Sequence, residues 1–275
     1  MTSRPLRFLR AGFALAATLL ALGTTEASAT TIRVPAGIDS AGWDRLLAKY
    51  VDARGLVAYG AWKANTADVQ RLDDFIAVHA RSDGAEAQGD EAVATLINAY
   101  NAFTIRWILQ HYPTESIREL DGSWNKARWN ISGRTVSLDE IEHQNLRPLY
   151  GWKVHAMIVC AARSCPPLQA RAYTKENLAT LTAEAYQAWL AREDLNQFEP
   201  AVRIVRVSPI FKWFKSDFAE RGSLDIVLER FGPERFRKFL VSRCYAVEYR
   251  DYDWGLNDQG DRGRNYRPGI LGRLF

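Results

Sequence analysis

The sequence predicts an α+β fold: a single mixed domain, mostly helical around a small sheet. Three observations predict it. Apolar residues recur at helical spacing along most of the chain, most clearly from Glu91 to Tyr112. Short runs rich in β-branched or alternating residues, Val154 to Ala162, Val202 to Val207 and Tyr245 to Arg250, read as strands. No internal repeat, glycine-rich phosphate loop or low-complexity linker divides the chain, so one domain is the economical reading.

Residues 1–29 read as a signal peptide outside that fold. Arg4, Arg7 and Arg10 form a basic region, Ala11 to Leu22 an apolar one, and Ala27-Ser28-Ala29 a small-residue cleavage site. The apolar run is shorter than the roughly 20 residues a permanent anchor needs, and no later stretch approaches that length. The mature protein is therefore expected to be soluble, periplasmic or secreted, with no stable membrane anchor after cleavage near Ala29. Cleavage removes three arginines and Glu26, so the net charge falls from +4 to +2. That balance gives no support for a nucleic-acid partner.

The elements follow in order. Asp39 and Ser40 can cap a helix whose Trp43, Leu46, Leu47, Tyr50 and Val51 share a face, with Gly55 as its stop. Another helix follows Asn65 or Thr66, burying Val69, Leu72 and Ile76. Arg81 to Asp90 is polar, contains two glycines and reads as a loop. Glu91 to Tyr112 is then a central helix, ended by Pro113. Trp129 to Val136 predicts a hairpin around Ser132-Gly133, and Ser137 with Glu140 forms a capping box that starts the next helix. Thr174 caps a helix with Leu178, Leu181, Ala185, Tyr186 and Trp189 inward. Ser208 to Phe218 predicts an aromatic helix, and Gly232-Pro233 separates two shorter ones. On the last of these, Phe236, Leu240 and Cys244 lie four apart, so Cys244 reads as a core thiol. The globular domain spans 30–257, and 258–275 reads as a loosely ordered tail rich in glycine and arginine.

Candidate chemistry centres on Lys153 to Leu168, which holds His155, Cys160 and Cys165. Strand parity would put His155 and Cys160 on opposite faces, while Cys165 falls on the following loop, stopped by Pro166 and Pro167. Five extended residues carry Cys160 roughly 16 Å from His155, so a Cys165–His155 dyad requires the chain to fold back. His143 is the other candidate base, with Glu142 adjacent inside an apolar stripe where a carboxylate must be paired or have its pKa raised. Asn98 and Asn101, three apart on the central helix, either contact substrate or bond nearby loop backbone. Three cysteines leave at least one thiol unpaired within the molecule; Cys160 could bridge Cys165, or Cys165 could reach Cys244. No C-x-x-C or H-E-x-x-H spacing is present, so no metal and no cofactor is expected, and His79 and His111 read as ordinary helix-face residues.

Five blocks arrive in a recognisable order: Ile97-Asn98-Ala99-Tyr100-Asn101-Ala102, Ser137 to His143, His155 through Cys160 to Cys165-Pro166-Pro167-Leu168, Phe211 to Phe214, and Tyr252-Asp253-Trp254-Gly255-Leu256-Asn257. Together they resemble the domain-of-unknown-function family 547, over nearly all of the mature chain. Bacterial members often look like exported single domains, and plant relatives carry the domain behind a coiled coil. The resemblance therefore implies a stand-alone module, and no settled activity comes with it. Two readings stay open. One is a binding or scaffold module with a buried polar network, its protein or cell-envelope ligand unknown. The other is a thiol hydrolase or acyl transferase in which Cys165, with His143 or His155, acts on a peptide or amide bond.

Overall fold

A computed structural model of the protein describes residues 31–221 and 224–267. The signal-peptide expectation and the last eight residues lie outside that range. The helices are α1 (Ala41–Tyr50), α2 (Tyr59–Ala64), α3 (Thr66–Ala77), α4 (Gly89–His111), α5 (Leu138–Ile141), α6 (Arg147–Tyr150), α7 (Leu178–Ala191), α8 (Ile210–Trp213), α9 (Lys215–Arg221), α10 (Leu224–Phe231) and α11 (Arg237–Val241). The strands β1 (Trp129–Ile131) and β2 (Arg134–Val136) form one antiparallel pair. The strands β3 (Gln197–Glu199), β4 (Ile204–Val207) and β5 (Ala246–Tyr249) form a second sheet, with β3 antiparallel and β5 parallel to β4. The fold is α+β and mostly helical, as the apolar periodicity predicts.

Helix α4 is the axis of the molecule. It is apolar on nearly every side, and a helix of that kind must be surrounded by protein. Leu96, Tyr100 and Phe103 enter one core with β1 and α5, while Ala102, Ile105 and Ile108 enter another with α1 and α3. A third core gathers Tyr186 and Trp189 of α7 around Phe211, Phe218, Leu228 and Val205. The capping box forms as predicted: Glu140 N donates to Ser137 Oγ at 3.1 Å and Ser137 N donates to Glu140 Oε2 at 2.8 Å.

Four expectations are corrected. Val154 to Ala162 is not a strand: a 3-10 turn occupies Gly151–Ala156 and irregular backbone follows. Asn101 supplies the bonds a neighbouring strand would have made, since its Nδ2 donates to Met157 O and its Oδ1 accepts from Val159 N, both at 2.9 Å. Strand parity therefore does not govern this stretch. Cys244 is exposed, because α11 stops at Val241 and the four-residue spacing no longer points inward. The aromatic helix is two helices, broken at Phe214. Residues 258–263 are fastened rather than loose. Asp258 is buried, Gln259 Nε2 donates to Tyr50 O and Leu56 O, and Gly263 N donates to Glu115 Oε2 at 2.7 Å.

Candidate functional site

A cleft of about 180 Å³ opens where α5, the turn after it, the cysteine loop, α8 and the segment 252–254 converge. Cys160, Cys165, His155, His143 and Glu142 all line it. The fold thus brings together the five residues around which the candidate chemistry was read. Asn98 and Asn101 do not join them. Asn98 holds Tyr173 by both backbone groups, and Asn101 holds Met157 and Val159, so each amide is spent on loop backbone.

The cysteine loop is built by the Tyr252–Asn257 segment. Arg163 N donates to Gly255 O at 2.8 Å, Ser164 N to Asp253 O at 3.1 Å, and Asp253 N returns a bond to Ser164 Oγ at 2.8 Å. Ala161, buried at φ +58, turns the chain sharply right after Cys160, a conformation that a non-glycine residue adopts only when its surroundings enforce it. The loop carries Cys165 back to Cys160, and their Sγ atoms stand 2.6 Å apart. Cys165 Sγ also accepts Cys160 N–H at 3.2 Å and Tyr252 O–H at 3.2 Å. Burial opposes charge on both thiols. These donors nevertheless hold the Cys165 thiol below its ordinary pKa, while Cys160, whose proton is shared into Cys165, is held well above it.

The opposite wall comes from a π-helical turn at Glu142–Leu146, an irregularity that widens one turn and re-aims its side chains. Asn145 pins it, accepting from Ile32 N and donating to Glu140 O, both at 2.8 Å. Glu142 is buried, and burial raises its pKa to about 7 although Tyr100 O–H donates to it at 3.3 Å. His143 accepts from Arg147 through Nδ1 at 3.1 Å, and burial lowers its pKa. His155 is committed elsewhere: Nε2–H donates to Asp217 Oδ2 at 2.8 Å, and its ring stacks on Phe214 at 4.1 Å. Desolvation lowers its pKa too, despite the Asp217 bond, so both imidazoles are neutral near pH 7. Asp217 in turn grips Arg147 through two bonds of 2.6 Å. Among the described residues no hydrogen bond joins Cys165 to an imidazole.

Residues 85–190 match the family model described as Protein of unknown function, DUF547. That segment contributes Glu142, His143, His155, Cys160 and Cys165, whereas Asp217, Tyr252, Trp213 and Trp254 come from beyond the matched DUF547 residues. No curated protein and no solved structure matches the chain.

Sequence reasoning missed three contributors. Asp217 orients His155 and Arg147 but sits on a short polar turn of α9 with no spacing signal. Tyr252, the donor to both sulfurs, was visible only as part of a motif. The π-turn leaves no periodicity signal, because a single widened turn resembles ordinary helix in sequence. A second groove, lined by Asp39, His79, Glu91, Asn98 and Tyr173, lies along the other face of α4 and shares no residue with the cleft.

Proposed function

We propose that this domain is a thiol–disulfide exchange module, with Cys165 as the attacking thiolate and Cys160 as the resolving thiol. The observation that carries the proposal is the arrangement at Cys165 Sγ: a partner sulfur at 2.6 Å and two donors at 3.2 Å, in the wall of a cleft. A thiolate is the reactive form, and hydrogen-bond donors rather than an imidazole supply its stabilisation here. Acyl transfer of the cysteine–histidine type asks for a base within hydrogen-bond reach, and both histidines are engaged with other partners.

The electron balance is simple. Cys165 S⁻ attacks one sulfur of a substrate disulfide, that S–S bond breaks, and the departing sulfur takes a proton from water. Cys160 then gives its proton to solvent and attacks Cys165 Sγ. The second substrate thiol leaves and a Cys160–Cys165 disulfide remains. Substrate gains two electrons and the cysteine pair loses two; the reverse sequence oxidises a substrate dithiol. Export, read from residues 1–29, would place the pair in an oxidising compartment where such exchange is needed.

The test is equilibration of the folded protein in glutathione redox buffers, followed by acid quenching, alkylation and intact mass. A reversible change of two thiols is expected, with Cys244 alkylated throughout. Cys160→Ser and Cys165→Ser should each abolish the two-thiol change, and Tyr252→Phe should slow alkylation of Cys165 below pH 8. A pair that dithiothreitol reduces only after unfolding, or that no buffer oxidises, would refute the proposal.

A further inference from the structure

The cleft in which the cysteine pair sits has a charge and a surface of its own, and together they select a class of substrate. Its lining carries the carboxyls of Asp139 and Glu142 and, among the described residues, no lysine or arginine. His155 is buried and His143 partly exposed, and desolvation holds both imidazoles below their ordinary pKa, so neither adds positive charge near pH 7; the Arg147 guanidinium beside His143 is gripped by Asp217. Glu142 titrates near pH 7 and is only partly ionised there, so the negative charge rests on Asp139 and on a thiolate at Cys165.

The wall beside the sulfurs is aromatic. Tyr252 packs on Trp254 at 4.5 Å and on Trp213 at 4.9 Å between ring centroids. Trp213 remains 49% exposed at the mouth of the cleft, which is unusual for so large an apolar ring with cores available nearby. Indole faces attract organic cations, and the molecule uses this already: Arg118 lies 5.0 Å over the ring of Trp254. Trp213 stacks on Trp254 at 5.9 Å, is half exposed, and carries no such cation among the described residues.

We infer that the substrate of this site is a small disulfide or thiol bearing an organic cation, an alkylammonium group that rests on Trp213 and faces Asp139 while its sulfur meets Cys165. This rests on the thiol–disulfide reading and deepens it. A cleft of about 180 Å³ accommodates a low-molecular-weight group beside the sulfurs.

The experiment measures oxidation rates of the reduced, folded protein by three small disulfides: cystamine, which is dicationic, bis(2-hydroxyethyl) disulfide, which is neutral, and 3,3′-dithiodipropionate, which is dianionic. Each rate is divided by that of free glutathione with the same reagent, to remove intrinsic reactivity. Cystamine should lead the dianion by about tenfold or more on this scale. Asp139→Asn and Trp213→Ala, at partly or well exposed positions, should each shrink that preference. A ratio near one, or a preference untouched by both substitutions, overturns the inference while leaving thiol exchange standing. If no disulfide reacts, the thiol reading fails, and the cation site is judged separately by titrating tetramethylammonium into Cys160→Ser protein. Tryptophan fluorescence that saturates in the unsubstituted Trp213 background and not in Trp213→Ala supports the site, and no response overturns it.

Discussion

At the scale of single residues, the cleft is a set of ionisable groups whose charge states are fixed by what surrounds them. Glu142 illustrates the cost. Its carboxyl titrates near pH 7 in the fold and near ~4.3 in an unfolded chain, so between those values the folded state holds a proton that the unfolded state has released. Stability from this group is full below about pH 4 and falls as pH rises towards 7. Glu142→Gln keeps the shape and removes the titration. Its melting temperature should exceed that of the wild type above pH 7, by an amount of up to about 3 kcal/mol in stability, and the two should converge near pH 4. A constant difference across that range would show that Glu142 does not carry the proton assigned to it.

At the scale of elements, the site depends on local geometries held by a few buried contacts. The π-turn is one. Asn145→Ala removes the acceptor of Ile32 N–H and the donor to Glu140 O in a buried setting, which should cost roughly 2–4 kcal/mol in denaturant unfolding. Asn145→Asp keeps the acceptor for Ile32 N–H and should recover part of that loss; no recovery would argue that packing alone matters there. The loop after Cys165 is the other. Gly55 sits at φ +74 with its backbone against Pro167 and Leu168, and a Cβ there would lie 2.3 Å from Leu168 N. Gly55→Ala is therefore expected to destabilise the fold by about 2 kcal/mol or more and to raise the alkylation rate of Cys165 as the loop is pushed outward. Unchanged stability and labelling would mean the contact is not tight.

At the scale of the whole molecule, opposed titrations shape the response to acid. His79 is fully buried, donates Nδ1–H to Phe75 O at 2.9 Å, and is pushed down to about pKa 4 by burial. An unfolded histidine protonates near ~6.5, so its contribution is full above that pH and is lost as pH falls towards 4. His155 is shifted in the same direction. Glu142 and Asp139, both raised by burial, run the other way over much of the same interval and offset the histidines, so the wild-type melting temperature should be nearly level from about pH 6.5 to pH 4.5. Below that the carboxylates decide. Asp68, bonded by Lys49, Tyr50 and Arg71, is held down to about 2, and Asp217 is depressed further, against its burial, by Arg147 and His155. Both stabilise the fold above the unfolded aspartate pKa of ~3.9, and that stability is lost as pH drops through their folded values. Thermal scans from pH 8 to pH 3 should show a plateau and then a steep fall, and a steady decline beginning at pH 6.5 would contradict the balance. In Glu142→Gln the plateau should tilt, with stability rising with pH.

Much of this architecture was legible in the residues. The apolar stripe of α4 announces a central helix, Ser137 and Glu140 announce a capping box, and Ser132-Gly133 announces the hairpin, because each is a local rule acting over a few residues. The five candidate residues from Glu142 to Cys165 were legible by chemical type, since a carboxylate or thiol in an apolar stretch calls for a reason. Tertiary structure alone decided the rest. It replaced a strand by loop because the Asn101 amide, distant in sequence, satisfied the backbone of 157–159. It drew Tyr252 and Asp217 to the sulfurs and the imidazole across separations that no local rule spans. Periodicity and capping are short-range forces and can be read along the chain, whereas the partner of a buried polar group is chosen by packing, and packing exists only in the folded molecule.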